Sequence, residues 1–135
     1  MTFVVDASVT MAWCFEDEAS AATDAILDRL TQDEARVPAL WAWEVTNVLL
    51  VAERRGRITE AQATRFVTLL HALPVRLDRS APDLDALLTT GNRHGLSAYD
   101  AAYLRLAIHE SYALATLDRK LQAAAVAAGV ELLLE

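Results

Sequence analysis

Apolar and polar positions alternate between two rhythms along this chain. Short runs rich in β-branched residues are each followed by a longer stretch with apolar residues every three or four positions. Residues 2–6, with Phe3, Val4 and Val5 running into Asp6, predict a first strand. Residues 8–15 predict a short helix capped by Ser8, and 16–33 a second helix opened by Glu16, Asp17 and Glu18. Arg36-Val37-Pro38 predicts a strand that Pro38 ends, because proline cannot donate to a ladder. Leu40 to Arg55 predicts a helix stopped by Gly56, and Thr59 caps another to Leu73. A strand at 75–77 and helices at 81–92 and 97–111 follow, then a strand at 113–117. Asp118 caps a helix to Ala128, and 130–134 form a last strand. Strands that alternate with helices predict an α/β fold: one domain over 1–135, with a parallel central sheet covered by helices on both faces. Right-handed crossovers then bring the βα turns to one edge of that sheet.

Composition narrows the picture. A length of 135 residues fits one domain with a sizeable core, and 54% hydrophobic residues exclude a disordered chain. No uncharged apolar run nears the ~18 residues needed to span a bilayer. The start has no basic segment of a secretory signal, and Cys14 is the only cysteine, so the expected setting is soluble and cytoplasmic. The net charge of −7 argues against nucleic-acid binding by bulk electrostatics. Any such contact needs a local basic patch, a metal ion, or both.

Candidate chemistry lies with acids in unusual places. Asp6 and Asp118 follow the first and fourth strands, so central parallel strands put both at one sheet edge, where α/β proteins bind ligands. Each is equally suited to be a helix cap. Glu44 falls on the apolar stripe of Leu40, Trp41, Val45, Val48 and Leu49, so it needs an arginine partner, a proton or a cation. Asp100 lies three residues after Ser97, a capping-box spacing that also points it toward the same crevice. Clustered carboxylates repel, and a hard divalent ion, Mg²⁺ or Mn²⁺, relieves that repulsion. Zinc is disfavoured, since His71, His94 and His109 show no paired spacing. Arg54, Arg55, Arg57, Arg93, His94, Arg119 and Lys120 are candidate phosphate contacts or solvated charges. Among the tryptophans, Trp41 suits core packing, whereas Trp13 and Trp43 are open to packing or base stacking.

Val4-Val5-Asp6-Ala7-Ser8, Glu44 in its apolar helix, Leu96 to Tyr103 around Asp100, and Ala115 to Leu121 around Asp118 occur in an order that resembles the PIN-domain ribonucleases. The likeness is greatest to the VapC-type toxins of bacterial toxin–antitoxin pairs. It implies that Asp6, Glu44, Asp100 and Asp118 hold Mg²⁺ or Mn²⁺ and support metal-assisted hydrolysis of RNA phosphodiesters. It also implies that Ser8 and Thr116 orient a carboxylate or a water. The stretch 119–122 lacks the further acid that many relatives carry, which leaves a second ion short of ligands. The resemblance implies two protein partners, an antitoxin with a basic tail and a second copy in a homodimer, and no membrane. A competing reading is a Mg²⁺-binding, phosphoryl-accepting receiver domain. That domain wants an acid pair after its first strand and a lysine after its last, and this chain has Ala7 after Asp6 and no lysine in 130–135. A non-catalytic PIN-like interaction module is the third reading.

Overall fold

The computed structural model describes residues 1–134 and contains a four-stranded parallel sheet with helices on both faces. Its strands are β1 (Thr2–Val5), β2 (Glu34–Pro38), β3 (Val75–Asp78) and β4 (Ala113–Ala115), in the order β3-β2-β1-β4. Strand β1 is flanked on both sides, pairing Phe3 with Ala35 and Val5 with Ala115. Phe3, Val4 and Val5 are fully buried because both faces of the sheet are covered. Burying each is worth ~1.5–3 kcal/mol.

The two-residue period of a strand divides this core. Phe3 and Val5 face Val9 of α1 (Ala7–Cys14) and Ile26 of α2 (Ala21–Arg29). Val4 faces Tyr103, Leu104 and Ala107 of α6 (Ala98–Glu110), with Leu121 and Ala124 of α7 (Arg119–Ala127). A third cluster joins Met11 and Phe15 to Val45 and Leu49 of α3 (Leu40–Arg54) and Leu70 of α4 (Glu60–His71). Between β3 and α6 runs α5 (Leu84–His94), capped by Asp83. Among the described residues no helix is long and apolar enough to cross a membrane.

The structure corrects four predicted boundaries. Asp6, not Ser8, caps α1: its backbone is still extended (φ −92°, ψ 177°) and its carboxylate accepts from the Val9 N–H. The predicted helix over 16–33 is broken into a 3₁₀ turn at Glu16–Glu18 and then α2, because Ser20 and Thr23 cap each other reciprocally and restart the helix. Helix α5 begins at Leu84 rather than Ala81, as Asp83 follows Pro82 and accepts from the Ala86 N–H. The predicted last strand shrinks to one parallel bridge, Leu114 to Leu132.

Candidate active site at the carboxyl edge of the sheet

Parallel pairing of β1 with β4 carries both strands to the same edge, and both chains leave it in caps. Asp6 is 5% exposed and accepts three hydrogen bonds, two on Oδ1 and one on Oδ2. The Ser8 hydroxyl (2.6 Å) and the Val9 N–H (3.2 Å) donate to Oδ1, and the fully buried Thr116 hydroxyl donates to Oδ2. Thr116 Oγ1 in turn accepts from the Asp118 N–H (3.0 Å), and Ser8 Oγ accepts from the Leu117 N–H (3.0 Å). The Gln122 amide donates to the Thr116 carbonyl (2.8 Å) and pins the turn from below. Ser8 and Thr116 therefore tie the end of β1 to the start of α7 and hold the Asp6 carboxylate in one orientation.

Glu44 arrives on α3. The Trp41 indole N–H donates to Thr10 Oγ1 (2.9 Å), and the Thr10 hydroxyl donates to the Asp6 carbonyl (2.9 Å). That chain of bonds fixes α3 one turn before Glu44. The Tyr103 hydroxyl, on α6, donates to Glu44 Oε1 (2.6 Å). Asp100 lies one turn earlier on the same helix, its own N–H capped by Ser97 Oγ (3.1 Å). Asp118 caps α7, accepting from the Leu121 N–H (3.0 Å).

The acids act on one another. Burial pushes the Asp6 carboxyl above its ordinary range; the Ser8, Thr116 and Val9 donors offset part of this, and the Asp100 charge adds to it. Burial also raises Glu44, against the Tyr103 hydrogen bond and with the charges of Asp100 and Asp6 behind it. Asp100 is raised by burial and by Asp118. Tyr103 is held firmly protonated, first by burial and then by its bond to Glu44. No arginine or lysine pairs with any of the four acids among the described residues.

Sequence reasoning put Asp6, Glu44, Asp100 and Asp118 together, and the fold brings them within electrostatic reach at one sheet edge. They are not closed around a shared point: among the described residues no three Asp, Glu, His or Cys side chains stand tightly enough to hold an ion as placed. Two of them have an oxygen committed to a helix cap, and like charges keep apart. The donor set is all oxygen, which suits a hard cation such as Mg²⁺ or Mn²⁺ in chemistry. Cavities of about 470 and 660 Å³ lie elsewhere, and none of the four acids lines either. Glu44 and Asp100 are half-buried, and Asp6 is buried.

Two features of the edge escaped the sequence. Tyr103 had no role assigned, although a tyrosine three residues after Asp100 on a buried helix face needs a partner for its hydroxyl, and Glu44 was the unpaired acid. Gln122 gave no signal, since its partner is a backbone carbonyl, that of Thr116 six residues earlier, and no side-chain pattern marks such a bond. Arg57, a candidate phosphate contact, is instead occupied by Asp17 (2.7 Å) and Glu18 (2.9 Å). Trp41 is packed as expected, Trp13 is half-buried with its N–H on the Thr23 carbonyl (3.0 Å), and Trp43 is 79% exposed beside Glu44.

Comparison with known proteins agrees with this architecture. A family model described as PIN domain matches residues 3–127. The curated protein Ribonuclease VapC3 of Pyrobaculum aerophilum is 32% identical over 123 residues, covering 90% of this chain and 92% of its own. The crystal structure of PAE2754 from Pyrobaculum aerophilum superposes with a TM-score of 0.73 at 25% identity, covering 92% of this chain and 84% of that one. VapBC2 from Rickettsia felis, solved bound to a DNA fragment from its promoter, shares the fold (TM-score 0.68, 14% identity, 98% and 97% coverage).

Proposed function

The chain belongs to the PIN-domain family, and from that premise we propose that it is a metal-dependent endoribonuclease, the toxin of a VapC-type toxin–antitoxin pair. The whole of 1–135 forms the PIN domain, and its setting is the cytoplasm. The observation that carries the reading is the set of acids from different elements that feel one another's charge and have no ion pair among the described residues. Asp17 and Glu34, by contrast, each have an arginine. The curated relative's name, Ribonuclease VapC3, supplies the reaction class.

Asp6, Glu44, Asp100 and Asp118 would hold Mg²⁺ or Mn²⁺. When bound, such an ion lends positive charge to the phosphate and makes water an easier nucleophile. The protein's own groups do the rest. Ser8 and Thr116 hold Asp6 in a single orientation. Tyr103 occupies one oxygen of Glu44, and the other has no hydrogen bond among the described residues. Asp100, whose carboxylate makes no hydrogen bond or ion pair among the described residues, is free to accept a proton from the attacking water. Partners follow the same reading: RNA as substrate, an antitoxin whose basic tail supplies the charge the acids lack, and a second copy in a homodimer.

The receiver alternative fails on its own requirement, since a single acid follows β1. The test is cleavage of RNA by the purified, antitoxin-free chain with Mg²⁺, Mn²⁺ or EDTA. Asp6→Asn keeps a good helix cap, so the fold should persist while cleavage falls at least ~10²-fold, as expected when several kcal/mol of charge stabilisation is lost. Full activity in EDTA, or in both Asp6→Asn and Asp100→Asn, refutes the proposal; no cleavage by wild type with any of the ions leaves the non-catalytic module.

A further inference from the structure

We propose that the groove between α5 and α6 is a track for the phosphate backbone of the substrate strand, separate from the acid edge. The proposal rests on the ribonuclease reading and adds where the strand lies. The groove has a volume of about 660 Å³, and Thr89, Thr90, Arg93, His94 and Arg105 line it. These are hydrogen-bond donors of the kinds that hold phosphate: two guanidinium forks, two hydroxyls and an imidazole.

Of the 12 Lys and Arg, only Arg29, Arg36, Arg57 and Arg76 have a carboxylate among the described residues, and of the other eight only Arg105 is not exposed. Arg93 and Arg105 have neither an ion pair nor a side-chain hydrogen bond among the described residues, and Arg105 is half-buried. A half-buried guanidinium that faces a concavity is poised for an anion, which gains charge-assisted hydrogen bonds there. Asp85 is the one acid on the wall, so the two arginines outweigh it, and the low-dielectric walls concentrate their field.

A tight turn ties the groove to the helix that carries Asp100. Helix α5 passes to α6 through Gly95, whose φ of 65° suits glycine, and the Leu96 N–H donates back to the Gly91 carbonyl (3.0 Å). A Cβ at Gly91 would meet the Leu96 oxygen at 3.0 Å, so the turn is tight. Arg93 and His94 are thereby held beside the first turn of α6, which carries Asp100. Arg105 lies five residues further along that helix, about 7.5 Å at 1.5 Å per residue and about 140° round it from Asp100, so the groove lies round the helix from the acids. A strand that crosses the α5–α6 turn from the acid edge would meet these cations, where a net charge of −7 would otherwise repel it.

The experiment compares wild type with Arg93→Ala/Arg105→Gln on a long single-stranded RNA and on a tetranucleotide, with binding of the long RNA measured in EDTA across a salt series. The expected result is a KM for the long RNA about tenfold higher, with kcat and tetranucleotide cleavage unchanged. The slope of log affinity on log salt should fall by about 1.4, from ~0.7 for each lost phosphate contact on a single strand. Arg93→Lys/Arg105→Lys should recover most of the slope. An unchanged slope overturns the proposal, as does an equal loss on both substrates, or loss of binding to a polyglutamate peptide with RNA binding intact. If Arg105→Gln unfolds, the exposed Arg93→Ala alone decides, with an expected slope change of about 0.7. If wild type cleaves neither RNA, the ribonuclease reading falls, and the salt slope in EDTA still judges the groove.

Discussion

The acid edge and the flank beneath α1 hold their carboxylates by different means. On the flank, Arg57 grips Asp17 and Glu18 and lies over the Phe15 ring, its Cζ 3.9 Å from the centroid. Arg76 does the same for Glu34. At the edge, the partners are hydroxyls: Ser8 and Thr116 on Asp6, and Tyr103 on Glu44. A guanidinium neutralises the acid it orients, whereas a hydroxyl orients it and leaves the charge in place. The pKa directions follow. Asp17 is drawn down by Arg57, first through its hydrogen bond, whereas Asp6, Glu44 and Asp100 are pushed up, first by burial. The flank is finished; the edge keeps negative charge for a ligand to use.

The largest expected consequence is metal-linked stability. In antitoxin-free protein, Mg²⁺ or Mn²⁺ should stabilise the fold by about 2.7 kcal/mol at a hundredfold excess over Kd, seen as a rise in Tm that Asp6→Asn abolishes. A flat Tm across millimolar metal would make the edge as inert as the flank. Next comes Tyr103→Phe, which leaves Glu44 Oε1 without its donor. It should cost about 1 kcal/mol and lower cleavage roughly tenfold, read by denaturant titration and by initial rates. Wild-type rates would show that Tyr103 does not position Glu44.

A pH series separates the two regions by sign. Because the folded pKa of Asp100 is raised, the native state binds its proton more tightly than the unfolded chain. Its contribution is fully present below the ordinary value near 3.8 and is lost as pH rises through the folded value. Metal-free Asp100→Asn should therefore melt above wild type at pH 7, and the gap should close toward pH 4. Asp17 runs the other way: its folded pKa is lowered, so its stabilisation is present above 3.8 and lost as pH falls through the folded value. The smallest effect is that of Arg57→Ala, which should lower Tm slightly, less so in 1 M salt, and leave cleavage unchanged. A loss of cleavage there would erase the distinction between the regions.

Much of this was legible in the chain. The alternation of strand and helix patterns implied the parallel sheet, and the comparisons bear out that fold. Asp6 and Asp118 stood out as acids after strands, and Glu44 stood out on an apolar stripe. The helix predicted over 16–33 failed because a Ser–Thr reciprocal cap lacks the Glu or Gln that marks such boxes. The last strand failed because 130–134 has a strand-like composition, yet only Leu132 bridges to Leu114.

Local pattern determined which residues form strands and helices, and which acids could not be explained by a solvated surface. Those depend on side-chain period and burial, which neighbours in the chain encode. Only the tertiary structure decided what each acid meets. Thr116 reaches Asp6 across 110 residues and Tyr103 reaches Glu44 across 59, and Arg57 goes to Asp17 on the flank instead of to the edge. Hydrogen bonds over such separations depend on how β1, β4, α3 and α6 are stacked, and no spacing within one segment records that.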